Sequence, residues 1–246
     1  MPRTPAPLKK TRDAEASRAK VVAAAAEEFA SRGFDGAKVD AIAARAGVNK
    51  AMLYYHFDDK AALYREVVGD MFASTAASLQ KVRASGGSPE QQLATVIEVI
   101  AREGMARPHF PLMWLRELAD GGRHLGPGNF TDMLAIVGAV GGILKDGEST
   151  GRLRAVPPFL AQLGIVGPLF MFLATTQMRQ RLRGLMPSPP PEVPPDLLVK
   201  YVQDMTLSAL RAEPTKARST SAKTARQTPQ AQPSRKVRSA KHAGQR

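Results

Sequence analysis

Residues 47–64 read GVNKAMLYYHFDDKAALY. Asn49, Lys50, Tyr54, Tyr55 and His56 fall within eight residues, and Lys60 follows about one turn later. Amide, ammonium and phenol groups at this density, together with a helix N-terminus, make good donors to phosphate oxygens, the contacts that position a protein on DNA. Base reading would then fall to few groups: Lys50 to a guanine edge, Ala51 and Met52 to thymine methyls, and Tyr55 to either. Packing is the competing reading. Any one of these tyrosines can be a half-buried core contact, and His56 alone suits a partly buried ring with satisfied nitrogens.

To present such groups, the chain needs two short helices joined tightly. Val39, Ile42, Ala43 and Ala46 share one face of a first helix, and Leu53 and Phe57 share one face of a second. Gly47 stands between them, where positive φ reverses the chain cheaply, and Asn49 is placed to cap the second helix. This is the pattern of a helix-turn-helix, whose second helix can enter the major groove. At ~100° per residue, pointing Leu53 and Phe57 inward turns Ala51 and Tyr55 outward, with Met52 and Tyr54 on the flanks. Lys38 and Lys60, at the starts of the flanking helices, could clamp the backbone on either side.

Around this segment the chain reads as all-α, because helical spacing recurs and no sustained alternation of strand formers appears. About nine helices are expected, near 13–32, 39–46, 50–57, 60–84, 89–106, 109–120, 130–146, 157–184 and 195–212. The prolines of 187–195 predict a stiff, extended connection before the last of them. Gly138, Gly141 and Gly142 would let helices approach closely, and Pro168 would kink the eighth helix.

The 246 residues are 43% hydrophobic, ample for a folded core. Four basic residues within 1–12 and nine within 214–246, with no acid in either segment, equal the formal charge of +13. The body between is therefore formally neutral, and both ends are read as disordered basic segments, an arm at 1–12 and a tail at 214–246. They could contact nucleic acid or simply be solvated. No cysteine is present, which fits a reducing, cytoplasmic compartment, and the N-terminus lacks the apolar stretch of a secretory signal. The apolar run Phe159–Ala174 is shorter than the ~20 residues of a membrane span and is interrupted by Gln162 and Gly167-Pro168, so a buried core helix is expected and no membrane partner.

Nothing points to catalysis. The four histidines, at 56, 109, 124 and 242, lack metal-ligand spacing, and neither a Ser-His-Asp set nor a phosphate-cradling glycine loop occurs. No catalytic residue, metal or cofactor is expected.

From Glu27 to Tyr64, EEFASRGFDGAKVDAIAARAGVNKAMLYYHFDDKAALY, the chain resembles the TetR family of bacterial transcriptional regulators. The resemblance implies a three-helix DNA-binding domain at 13–60 and a helical ligand-binding and dimerisation domain at 61–213. It places Lys38, Asn49, Lys50, Ala51, Met52, Tyr54, Tyr55, His56 and Lys60 where the family contacts DNA, chiefly phosphates. The family often carries a small hydroxyl where this chain has Met52, so base preference should depart there. GILKDGESTGRLRAVPP, 142–158, resembles the family's connection into helix eight.

The implied partners are a palindromic double-stranded operator, an unknown small-molecule effector and a second copy of the chain. Met105, Phe110, Met113, Trp114, Glu117, Met133, Gln162, Phe170 and Met171 are the candidate ligand contacts, with Leu118 on the same stripe and Arg102 a further polar candidate. Such stripes are also what plain core looks like. Homodimerisation is expected through helices eight and nine, with Leu169, Leu173, Leu197, Tyr201, Met205 and Leu207 among the buried contacts. A repressor released by a largely apolar ligand is the reading, and an architectural protein using the basic tail is the alternative.

Overall fold

The computed structural model describes residues 7–212, with side chains from Ala14 onward. The expected tail 214–246 and the first half of the arm lie outside the described residues. Ten helices follow in order: α1 (Pro7–Gly36), α2 (Val39–Ala46), α3 (Lys50–His56), α4 (Lys60–Ala84), α5 (Pro89–Ala106), α6 (Phe110–Ala119), α7 (Pro127–Ser149), α8 (Pro158–Ala174), α9 (Thr176–Gly184) and α10 (Pro195–Leu210). The fold is all-α. Among the described residues the one extended pairing is an isolated antiparallel bridge between Leu153 and Arg211.

Local chemistry sets the helix boundaries. Gly33, at φ 70°, breaks the regular course of α1, and Gly47, at φ 68°, ends α2 in the left-handed conformation that glycine adopts without strain. Asn49 Oδ1 then accepts from the Met52 N–H at 2.7 Å to start α3, and Asp59 Oδ1 does the same for Ala62 at 2.6 Å to start α4. Ser88 and Gln91 form a reciprocal capping box at the start of α5, with Pro89 in its first turn.

These helices wrap a continuous core. Val21, Ala25 and Phe29 of α1 meet Ile42 of α2 and Leu53 of α3, and Phe57 closes the end of α3. Burying a side chain such as Leu53 contributes about 1.5–3 kcal/mol. α4 begins beside this cluster, packs on α1, and continues along α5 and α7. α8 lies against α5, α6, α7 and α10. By length and composition α7 could cross a membrane, but in this fold Ile136, Val140, Ile143 and Leu144 are buried in the bundle.

Several expectations are corrected. α1 starts at Pro7, so part of the arm 1–12 is helical. The long eighth helix is two helices, bent by 48° at Thr175 while Pro168 stays inside α8. Side chains explain the break: Thr175 Oγ1 donates to Met171 O at 2.7 Å, Thr176 Oγ1 donates to Leu173 O at 2.8 Å, and the Arg179 guanidinium donates to Phe172 O. The last carbonyls of α8 are thus taken by side chains that compete with the helix ladder. The element expected as helix nine is α10. Gly141 lies close against Pro158 and Gly142 against Arg83, whereas open space surrounds Gly138.

The run Phe159–Ala174 is buried on one face only. Ala161, Ile165 and Leu169 recur every four residues and seat that stripe in the bundle with Phe170, while Phe159, Leu160, Leu163 and Met171 stay exposed. Leu169 is fully buried within its own chain and so is not available to a partner, and Leu207 is already half-buried.

Candidate nucleic-acid interface

α3 is held by its inward face. Leu53 is 0% exposed and Phe57 5%, with the Arg18 guanidinium 5.1 Å from the Phe57 ring centroid and paired to Glu66 at 2.7 Å. The outward face is left free of packing: Tyr55 is 75% exposed, Tyr54 44% and Met52 39%, and Ala51, Lys50 and Asn49 are exposed as well. Lys38, just before α2, is also exposed. Seven of the nine expected DNA contacts are therefore solvent-facing.

The other two are engaged inside the protein. His56 Nε2 lies 2.8 Å from Ser17 Oγ, and that hydroxyl donates to Ala14 O. A hydroxyl has one proton, so the ring nitrogen is the donor between them, and His56 ties α3 to α1. Lys60 Nζ donates to Asp35 O at 3.3 Å and sits 4.7 Å from the Phe34 ring centroid. Both side chains fasten to α1, His56 in its first half and Lys60 near its C-terminal end, which for His56 is the packing role weighed from the sequence.

Lys50 has a partner that the sequence reading missed. Its ammonium lies 2.9 Å from Asp40 Oδ1, and the hydrogen bond and then the charge of Asp40 raise its pKa above the usual lysine value. Lys50 stays protonated, and Asp40 competes with any phosphate or guanine edge for its donors. The signal was an acid on the first helix of the pair and a base on the second. Asn49 Oδ1 is committed to its cap, which leaves its amide as the group able to donate outward.

A cavity of about 200 Å³ lies between α4, α6, α7 and α8, with Ile100 of α5 at its wall. Phe110, Trp114, Met133, Gln162, Phe170 and Met171 line it as expected, and Leu118 joins them. Phe72 meets Phe110 edge to face at 5.4 Å and Trp114 at 5.1 Å, and Phe110 meets Phe170 at 5.7 Å. Met71, Phe72 and Thr75 of α4 were missed, since their spacing reads as ordinary core. Three expected contacts lie elsewhere: Met105 is partly exposed outside the cavity, Met113 is buried toward α1, and Glu117 is directed to a different junction. Arg102 is exposed and does not line the wall.

Glu117, 1% exposed, is held by three donors. Its Oε2 accepts from the Tyr64 hydroxyl at 2.9 Å and lies 3.0 Å from His124 Nδ1, and its Oε1 accepts from the His124 backbone N–H at 2.8 Å. Burial first, then the bond to Glu117 and its charge, push the Tyr64 phenol well above its usual pKa. The neighbouring Arg116 donates to Phe29 O at 3.2 Å and to Ala30 O, near the end of α1. So α6 carries cavity wall on one side and the fastening of α1 and α4 on the other. Among the described residues, no group of three or more His, Asp or Glu could hold a metal ion.

Residues 21–67 match the family of bacterial regulatory proteins called the tetR family. The HTH-type transcriptional repressor NicS of Pseudomonas putida is 26% identical over 147 residues, 59% of this chain and 69% of that protein. The HTH-type transcriptional activator FasR of Mycolicibacterium smegmatis is 33% identical over 81 residues, and the chain spans only 37% of its length. The fold is similar to that of the transcriptional regulator FadR of Bacillus subtilis, solved in complex with stearoyl-CoA, with a TM-score of 0.61 at 18% identity over 77% of this chain and 97% of that one.

Proposed function

Because the chain belongs to the tetR family of bacterial regulatory proteins, we propose that this transcriptional regulator is a cytoplasmic repressor that seats α3 in the major groove of a palindromic operator. A small, largely apolar molecule in the cavity between α4, α6, α7 and α8 releases it. One observation carries the DNA reading: Tyr54, Tyr55, Met52 and Lys50 are exposed on α3, while Leu53 and Phe57 anchor the same helix from behind. Residues 13–60 serve as the reading domain, and 61–213 as the sensing and dimerising domain.

Two copies are needed to read a palindrome. The surface that supports this is the exposed apolar set Leu160 on α8 and Leu197, Tyr201 and Met205 on α10, helices that pack on each other. Covering it with a second copy would hold two α3 helices about one DNA turn, ~34 Å, apart. A ligand acts by favouring whichever spacing fits the operator less well, which requires only unequal affinity for the two states.

Selection of bound genomic fragments with the purified full chain tests the proposal. The expected result is a palindromic consensus with half-sites about ten base pairs apart, upstream of genes whose transcripts rise when the regulator is deleted. Falling transcripts would make it an activator, as FasR is named. A set of fragments with no consensus would favour the architectural alternative, in which the basic segments 1–12 and 214–246 bind nucleic acid without regard to sequence.

A further inference from the structure

The cavity wall is apolar with two conspicuous exceptions. Thr75 of α4 and Gln162 of α8 both line it, and neither the Thr75 Oγ1 nor the Gln162 Oε1 oxygen has a hydrogen-bond partner although both atoms are buried. Thr75 is 3% exposed as a residue. Among the described residues only four buried side-chain polar atoms lack a partner, so half of them lie on this one wall. Buried polar groups are nearly always satisfied, and two unpartnered oxygens carried by residues that line one cavity mark where a bound molecule, after small side-chain rotations, supplies the missing bonds.

The wall also says what it excludes. No Asp, Glu, Lys, Arg or His lines it, so a carboxylate or ammonium entering the cavity would lose its water with no countercharge in return. Size is compatible with a small guest. A sealed cavity of ~150 Å³ lined by Leu, Ile and Phe holds benzene, so about 200 Å³, open on the side of Phe159, Leu163 and Met171, has room for one six-membered ring with a short substituent. Phe72, Phe110, Trp114 and Phe170, already paired edge to face, offer both ring faces and ring edges to an aromatic guest.

Resting on the cavity as the effector site, we propose that it takes a neutral, single-ring aromatic compound bearing a hydroxyl group, a molecule of the phenol class. The hydroxyl donates to Gln162 Oε1, and Thr75 Oγ1, donor and acceptor at once, is the second polar point by which the wall tells a hydroxylated guest from a plain hydrocarbon. Discrimination of this kind comes from the wall's own polar groups, which a hydrocarbon leaves unpaired.

Titration calorimetry on the full-length protein at pH 7 tests this with three probes built on one ethylbenzene frame: 4-ethylphenol, ethylbenzene and 4-ethylbenzoate. The wild type should bind 4-ethylphenol about tenfold more tightly than ethylbenzene, as one hydrogen bond implies, and 4-ethylbenzoate more weakly than either. In Gln162→Leu the preference for the phenol should vanish while ethylbenzene binds as well as before, and in Thr75→Val it should shrink. Circular dichroism melts confirm that each variant is folded, and retained ethylbenzene binding confirms an intact cavity. Equal binding of 4-ethylphenol and ethylbenzene, a preference that survives Gln162→Leu and Thr75→Val together, or tighter binding of the benzoate would overturn the inference while leaving the cavity as a binding site. Failure of all three probes to bind would overturn the cavity reading itself.

Discussion

Replacing Glu117 with leucine should destabilise the protein by about 3 kcal/mol. The carboxylate is 1% exposed and receives the Tyr64 hydroxyl at 2.9 Å and the His124 N–H at 2.8 Å. Both donors would be left buried without an acceptor, at about 1–3 kcal/mol each. His124 Nδ1 adds little, because its ring can carry the proton on the other nitrogen. Relief of the buried carboxylate's desolvation offsets part of the total. For a chain of this size about 3 kcal/mol corresponds to a fall of roughly 6–12 °C in Tm. A double-mutant cycle sharpens the test, since Tyr64→Phe removes one of the stranded donors. It should cost about 1 kcal/mol in the wild type yet recover about 1 kcal/mol in Glu117→Leu, measured by urea unfolding. A Tm within 2 °C of wild type, or the same cost for Tyr64→Phe in both backgrounds, would refute the role assigned to Glu117.

On the exposed face of α3, Tyr55→Ala should leave unfolding free energy within about 0.5 kcal/mol, because the ring is 75% exposed. Operator affinity by fluorescence anisotropy should fall about tenfold, the size of one hydrogen bond to a charged group, with the salt slope unchanged because no cation is lost. Unchanged affinity would remove Tyr55 from the interface. Tyr64 supplies a pH prediction. Its folded pKa is raised, so its neutral form is favoured in the folded state: that stability is fully present below the unfolded value of about 10 and is lost as pH rises beyond it. Stability should therefore fall between pH 10 and 11 more steeply in the wild type than in Tyr64→Phe. Parallel profiles would contradict the raised value.

The helix-turn-helix was legible because its information is local. Gly47, the Asn49 cap and the inward pair Leu53 and Phe57 act within a few residues of one another, and the structure has each doing what its spacing predicts. Contacts made across the fold were not legible in the same way. His56 and Lys60 sit in the right stretch but bond to Ser17 and Asp35, partners that only the packing of α1 brings near. Glu117 reads as a polar neighbour of an aromatic stripe, and the 100° between it and Leu118 sends the two side chains to different places. Thr75 failed to stand out for the opposite reason: a small hydroxyl among core residues carries no mark of lacking a partner. The split of α8 from α9 arises from Thr175, Thr176 and Arg179, whose side-chain bonds to carbonyls compete with a proline that looked the stronger breaker.

The two-sided character of α6 limits how the cavity can be redesigned. Phe110, Trp114 and Leu118 form cavity wall, while Arg116 and Glu117, between them in the chain, fasten α1 and Tyr64. A ten-residue helix moves as one rigid piece, so a new side chain that shifts it to admit a larger guest also shifts those fastenings. Residues on α7 and α8, such as Met133, Val137, Leu163 and Val166, line the same cavity with apolar side chains that make no hydrogen bond to α1, α2 or α3. Libraries that vary those positions and hold α6 constant can reshape the cavity while keeping the fastenings of α1 and Tyr64 intact.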